Sequence, residues 1–247
     1  EFNYGTCPMG SEASLQDMFA HVSAIRRFVN KTLLVKLNAT TNDLTKRALI
    51  AREAGADGLV LSNSLRGFAG VNTDTGKPRL PVIGGYSGPA IKPIVQAALL
   101  DITSEVQIPL IAVGGISTIE DIVEYLMLGA SAVQIGTEVM LRGYERIRRL
   151  FQGLEEFMES HSFNNLEDFR GLSLQHLCSF TDYSSRMRYV AQINKSVCNN
   201  CGRCIKACMY RSIYPDRQTP SVNTDNCDGC GMCEQVCPLG CISLVLE

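Results

Sequence analysis

Between residues 15 and 160 the chain alternates short, β-branched apolar runs with longer stretches whose apolar positions recur every three or four residues. The runs fall at 33–37, 58–61, 109–113 and 132–135. Their length and continuous apolar character are those of strands buried on both faces. The stretches between them predict helices over about 15–29, 43–54, 89–105, 118–128 and 140–159. Pro89 and Pro93 sit near the start of the third, where a missing backbone N–H costs nothing.

Strand–helix alternation of this kind predicts an α/β domain built on a parallel sheet. Glycine clusters follow the strand positions: Gly84-Gly85-Tyr86-Ser87-Gly88, Gly114-Gly115-Ile116 and Gly136-Thr137. Loops of this type at the C-terminal ends of strands are the pattern of a (β/α)8 barrel. A complete barrel needs about 250 residues, yet only about five strands can be counted here before the alternation ends. The expectation is therefore the C-terminal part of a barrel over 1–176, truncated at its N-terminus. A polar connector follows over 177–192, and a cysteine-rich module over 193–247. The first residue is Glu1 rather than methionine, which reads as a processed or truncated start.

The net charge of −2 supplies no reason to expect nucleic acid or an anionic membrane as partner. No apolar run reaches the roughly 18 residues of a membrane span. Of eleven cysteines, only Cys7 and Cys178 precede residue 198. A disulfide scaffold would spread its cysteines through a short chain. Clustering at metal-ligand spacing instead points to a reducing, cytoplasmic setting.

That clustering is the most specific signal in the chain. One motif is Cys198-x2-Cys201-x2-Cys204-x3-Cys208, and the other is Cys227-x2-Cys230-x2-Cys233-x3-Cys237-Pro238. The spacing is that of bacterial ferredoxins with two [4Fe–4S] clusters, in which the fourth cysteine of each motif ligates the other cluster. Cluster one is thus expected on Cys198, Cys201, Cys204 and Cys237, and cluster two on Cys227, Cys230, Cys233 and Cys208. Gly202, Gly229 and Gly231 provide backbone freedom in the cysteine loops. A pair of zinc sites is the competing reading of CxxC pairs, which two complete four-cysteine runs disfavour. Cys241 reads as a small packed residue, and Cys178 is assigned no role.

Taken in order, Tyr4-Gly5-Thr6-Cys7-Pro8, Gly55-Ala56-Asp57-Gly58, Gly84 to Pro93, Gly114-Gly115-Ile116 and the cysteine runs resemble the dihydropyrimidine dehydrogenase and dihydroorotate dehydrogenase family of FMN barrels. The likeness is greatest to the pyrimidine-reducing subunits, in which the barrel is followed by a two-cluster ferredoxin domain. The resemblance implies FMN and two [4Fe–4S] clusters as cofactors. It implies reduction of the C5–C6 bond of a uracil- or thymine-type pyrimidine, with Cys7 as the general acid. A thiol with a pKa near 8.5 holds a proton at neutral pH and releases it readily; taken alone, Cys7 reads more simply as a small buried residue. Tyr4, Gly5, Thr6, Asn63 and Ser64 match positions that contact the pyrimidine. Lys36, Gly88, Val113, Gly114, Gly115, Gly136 and Thr137 match positions that contact the flavin. An asparagine suits the alternating N–H and C=O edge of the ring, although an Asn-Ser pair at a strand end also marks turns. Lys36 could equally snorkel from its strand end.

The sequence departs from the family at Tyr4, which replaces an asparagine, at Lys36-Leu37-Asn38-Ala39-Thr40, and in a shortened segment after Cys7-Pro8. The family's first three strands have no counterpart. No G-x-G-x-x-G fingerprint occurs, so NAD(P)H must be oxidised elsewhere; the resemblance implies a partner subunit carrying FAD, in an oligomeric assembly. Two other readings stay open: oxidation of dihydroorotate, and an electron-transfer module beside a non-catalytic barrel remnant. His21, His161 and His176 show no ligand spacing, and Arg142, Arg146, Arg148 and Arg149 read as a solvated helix face.

Overall fold

The computed structural model describes residues 1–3, 15–179, 182, 188–217 and 219–247. Tyr4, Gly5, Thr6 and Cys7 lie outside the described residues. The chain divides into two compact units, Glu1–His176 and Leu177–Glu247.

The first unit is built on a parallel sheet of β1 (Phe2–Asn3), β2 (Leu34–Leu37), β3 (Gly58–Leu61), β6 (Leu110–Val113) and β7 (Ala132–Gln134), hydrogen-bonded in that spatial order. The register sets Val35 beside Leu59, Val60 beside Ile111 and Ala112 beside Val133. Central β3 is buried along its whole length, as a strand covered on both faces must be. Helices α1 (Leu15–Phe28), α2 (Leu44–Glu53), α3 (Lys92–Thr103) and α4 (Ile119–Met127) form the crossovers. They bury Met18, Val22, Ala48, Val95, Leu99, Ile102 and Leu126 with the strand residues Val35, Leu37, Leu59 and Ala112. The barrel is not closed: β1 and β7 are the edges of the sheet. Their ends nevertheless approach, since the Gln134 amide donates to the Glu1 carboxylate at 2.8 Å.

Three expectations are corrected in this unit. The cluster Gly84 to Gly88 does not follow a strand of the parallel sheet; it ends β5 (Gly84–Tyr86), which pairs antiparallel with β4 (Leu65–Gly67) in a separate hairpin. The glycines serve that pairing, because a Cβ on Gly85 would lie 2.3 Å from Ser64 Oγ and one on Gly67 would lie 2.8 Å from Tyr86 Cβ. The helix expected over 89–105 opens with a 3-10 turn at Pro89–Ile91 before α3. The helix expected over 140–159 is two helices, α5 (Thr137–Arg142) and α6 (Glu145–Ser160), divided at Gly143 with φ +79°. That left-handed backbone suits glycine and ends the first helix.

In the second unit β8 (Tyr189–Ile193) pairs antiparallel with β11 (Ile242–Leu246), and β9 (Ile213–Tyr214) with β10 (Ser221–Val222). Residues 189–192, expected as connector, belong to β8, because Val190 and Ala191 are buried against this second core. Short helices α7 (Arg203–Ala207) and α8 (Met232–Gln235) each begin just after a left-handed glycine, Gly202 at φ +69° and Gly231 at φ +71°. The core holds Ala191, Cys204, Ile213, Cys233, Cys241 and Ile242. Among the described residues, no helix is long and apolar enough to cross a membrane.

Candidate functional site

Four segments, three from the C-terminal side of the parallel sheet and one from the β4–β5 hairpin, meet around one cavity. Ser62 and Ser64 line it after β3, and Ser87 and Gly88 after β5. Val113, Gly114 and Gly115 line it after β6, and Gln134, Gly136 and Thr137 after β7. The hydroxyl of Thr137 donates to that of Ser87 at 2.9 Å, tying two of these loops together. Gly88, Val113, Gly114, Gly115, Gly136 and Thr137, expected at a flavin from sequence, are thus brought together, and Ser64 with them.

The Gly114-Gly115 turn is held from behind. Gly114 has φ +142° and Gly115 φ +75°, and a Cβ on Gly115 would stand 2.8 Å from the backbone nitrogen of Lys92. Only glycine lets the start of α3 come this close. The fully buried Tyr125 donates its hydroxyl to the Gly114 carbonyl at 2.7 Å. Burial, with the Asp121 and Glu124 carboxylates nearby, pushes the Tyr125 pKa well above the usual phenol value, so it remains a donor. Asp121 Oδ2 accepts from the backbone N–H of Ser117 at 2.8 Å, from that of Thr118 at 2.8 Å and from the Ser117 hydroxyl at 3.0 Å. Its other oxygen pairs with Lys92 Nζ at 2.5 Å. Burial alone would raise the Asp121 pKa; the Lys92 ammonium and the Ser117 and Thr118 donors reverse this and pull it down to about 2. Lys92, Asp121 and Tyr125 were not singled out from sequence. The one available signal was the Thr118-x-x-Asp121 capping box.

The buried Gly115 N–H has no acceptor among the described residues. A backbone donor without an acceptor on a glycine turn that lines the cavity, with no side chain to block approach, is suited to a phosphate. The residues present therefore fit the phosphate end of a nucleotide such as FMN.

Lys36 on β2 is 15% exposed at its side chain and pairs with the Glu1 carboxylate at 3.3 Å, while its ammonium lies 3.5 Å from Gln134 Oε1. A half-buried ammonium aimed across the sheet toward β7 does not match a lysine snorkelling outward. Asn63 is 7% exposed. Its backbone N–H donates to Leu37 at 3.2 Å, and its side chain donates to Asn3 Oδ1 at 2.8 Å. Arg142, Arg148 and Arg149 are exposed, as expected of a solvated face, and Arg142, Arg146 and Arg149 border an open neighbouring cavity of about 620 Å³ with Ser117 and Thr118. Arg146 is committed there to Glu138 at 2.8 Å and to the Ser117 carbonyl at 2.6 Å.

The second unit carries two separate cysteine cavities. One is lined by Cys198, Cys201, Cys204 and Cys237, with Cys241. The other is lined by Cys208, Cys227, Cys230 and Cys233, with Ser212. The fourth cysteine of each run therefore faces the cavity of the other run. Backbone N–H groups are directed at the sulfurs, from Asn200 to Cys198 at 3.4 Å, Ala191 to Cys227 at 3.4 Å, Ser212 to Cys208 at 3.3 Å and Cys241 to Cys237 at 3.4 Å. The N–H of Cys241 holds the Cys237 thiol below its usual pKa. Burial opposes the same shift at Cys208, but the Ser212 hydroxyl and backbone donors outweigh it. A Cβ on Gly229 would meet the Tyr189 carbonyl at 2.5 Å, so that loop also requires glycine. Among the described residues no cysteine, histidine or carboxylate group converges on a single-ion position. Four thiols around a cavity, with N–H groups turned to the sulfur, are the donor set of an iron–sulfur cube.

Comparison with known families places these features. The family model described as dihydroorotate dehydrogenase matches residues 5–158, and that described as 4Fe–4S dicluster domain matches residues 191–244. The "Dihydroorotate dehydrogenase B (NAD(+)), catalytic subunit" of Thermococcus kodakarensis is 38% identical over 161 residues, covering 65% of this chain and 53% of that protein. Its counterpart from Pyrococcus furiosus is 39% identical over 159 residues, covering 64% and 53%. The "NAD-dependent dihydropyrimidine dehydrogenase subunit PreA" of Escherichia coli is 32% identical over 235 residues, covering 90% of this chain and 57% of that protein. The chain spans about half the length of the curated relatives it matches.

Proposed function

We propose, from the premise that this chain belongs to the dihydroorotate dehydrogenase family, that it takes part in reducing the C5–C6 bond of a uracil- or thymine-type pyrimidine, using FMN and two [4Fe–4S] clusters. One observation carries the choice of reaction. The likeness to the dihydropyrimidine dehydrogenase subunit extends over 90% of the chain, whereas the likeness to the dihydroorotate dehydrogenase B subunits extends over 65% or less.

Bound FMN supplies a carrier that accepts electrons singly and delivers them to carbon as a pair. The Gly114-Gly115 turn, Gly88 and Gly136-Thr137 hold its phosphate end. Lys36, whose ammonium lies 3.5 Å from the cavity-lining Gln134, would place a positive charge beside the flavin, where it offsets negative charge on reduction. Asn63 and Ser64 bind the alternating donor and acceptor edge of the pyrimidine. Cys7 gives its thiol proton to C5, while C6 receives the electron pair with the second hydrogen, and the thiolate recovers its proton from solvent. Cys198, Cys201, Cys204 and Cys237 hold one cluster, and Cys227, Cys230, Cys233 and Cys208 the other. NAD(P)H is oxidised on an FAD-containing partner subunit in the same cytoplasmic assembly, which feeds electrons to the clusters.

The higher identity to the dihydroorotate dehydrogenase subunits, 38% over 161 residues and 39% over 159, favours a second reading, in which dihydroorotate is oxidised and the clusters carry electrons away. Anaerobic reconstitution with FMN, ferrous iron and sulfide separates the two. Dithionite-reduced protein that is reoxidised by uracil or thymine supports the first reading. Flavin bleached by dihydroorotate and left unoxidised by uracil supports the second. Failure to bind FMN removes both and leaves an electron-transfer module.

A further inference from the structure

The two cysteine cavities differ at the position four residues beyond the fourth cysteine of each run. In the second cavity, the residue four beyond Cys208 is Ser212, whose hydroxyl lies 3.4 Å from Cys208 Sγ and whose backbone N–H donates to the same sulfur at 3.3 Å. In the first cavity, the residue four beyond Cys237 is Cys241, whose sulfur lies 3.4 Å from Cys237 Sγ and whose N–H donates to it at 3.4 Å. The first cavity therefore has five thiols on its wall and the second has four.

We propose that Cys241 is a reserve ligand for the first cluster, able to take the iron corner assigned to Cys237, and that the second cluster has no reserve. This rests on the reading that each cysteine set holds a cube. Cys241 belongs to the buried core of this unit, and it also lines the first cavity. Cys241 is buried at 7% exposure yet aims its sulfur at Cys237. Its backbone is fixed at the head of β11: its carbonyl accepts from Asn194 at 2.8 Å, and Ile242 pairs with Ile193. Its thiol stands 3.4 Å from the sulfur whose corner it would take. In the exchange a Cys241 S–Fe bond would replace the Cys237 S–Fe bond, and the proton lost by the Cys241 thiol would be taken up by the released Cys237 thiolate; where Cys237 is absent, that proton would leave to solvent. No oxidation state changes.

The test compares anaerobically reconstituted wild-type protein with Cys237→Ala, Cys208→Ala, Cys241→Ser, Cys237→Ala/Cys241→Ser and Cys208→Ala/Ser212→Cys. Iron and acid-labile sulfide per chain, with low-temperature electron paramagnetic resonance, are the readouts. Wild type, Cys241→Ser and Cys237→Ala should each hold about eight irons. Cys208→Ala and the Cys237→Ala/Cys241→Ser pair should lose iron from one cluster and show a three-iron signal. Installing Ser212→Cys beside Cys208→Ala should restore the lost iron. The proposal is overturned if Cys237→Ala loses iron as Cys208→Ala does, if the Cys237/Cys241 pair keeps all of it, or if Cys241→Ser alone loses it. A wild-type protein with no cluster overturns the underlying reading instead, an outcome distinct from these differences among variants.

Discussion

The side-chain amide of Asn63 donates to that of Asn3 at 2.8 Å, joining the end of β3 to β1 across the intervening strand β2. Lys36 lies on that intervening strand, opposite Asn3 in the ladder. Asn3, Lys36 and Asn63 thus come from three strands to one end of one sheet, which is the arrangement by which barrel folds assemble a site.

Replacing Asn63 by alanine removes the partner of Asn3 and, on the proposed reaction, one contact to the pyrimidine. A hydrogen bond of this kind contributes about 1 kcal/mol, so KM for uracil should rise roughly five- to tenfold. FMN affinity should be unchanged. Steady-state kinetics with a flavin titration checks both halves.

Gly115→Ala should abolish the flavin cradle while sparing the rest of the fold. The new Cβ would meet the Lys92 backbone at φ +75°, and strain of this type costs about 1–3 kcal/mol. Quenching of flavin fluorescence should report FMN binding at least tenfold weaker than in wild type. Unaltered binding would place the phosphate elsewhere.

Cys7→Ala should leave FMN binding intact and slow pyrimidine reduction by about 10²–10⁴-fold, the usual contribution of a general acid. Single-turnover reoxidation of the reduced protein by uracil is the direct measurement. An unchanged rate would remove Cys7 from the mechanism.

Asp121→Asn tests the support behind the glycine turn through stability and pH. The Asp121 pKa is about 2 in the folded chain against an ordinary 3.8. A depressed carboxylate pKa stabilises the fold above the unfolded value, and that contribution is lost as pH falls through the folded one. The difference amounts to about 2 kcal/mol. Urea unfolding of the wild type should therefore shift to lower midpoints between about pH 4 and pH 2, whereas Asp121→Asn should be weaker at neutral pH and should lack that part of the acid dependence.

The strand–helix alternation was legible because a parallel sheet buried on both faces forces continuous apolar runs, and all four runs became strands of one sheet. Helix breaks were less legible. The division at Gly143 depends on one backbone angle, and the stretch 140–159 carries a helical period on both sides of it. The hairpin that carries Gly84 and Gly85 escaped detection because its strands are three residues long and mostly exposed. Arg142, Arg148 and Arg149 are the solvated face that the pattern predicts, whereas the partners of half-buried Arg146 were not legible, because periodicity records spacing along a helix and is silent about what stands opposite.

The cysteine runs determined the iron–sulfur character of this chain by themselves, because ligand spacing within one loop is a local property of the backbone. The glycine turns were likewise visible as candidates. Only the tertiary structure decided that Gly88, Gly115 and Gly136 face one cavity, that Lys92, Asp121 and Tyr125 brace it, and that Cys241 stands against Cys237 where Ser212 stands against Cys208. Those contacts join residues brought together by strand order and helix packing, which no local pattern encodes.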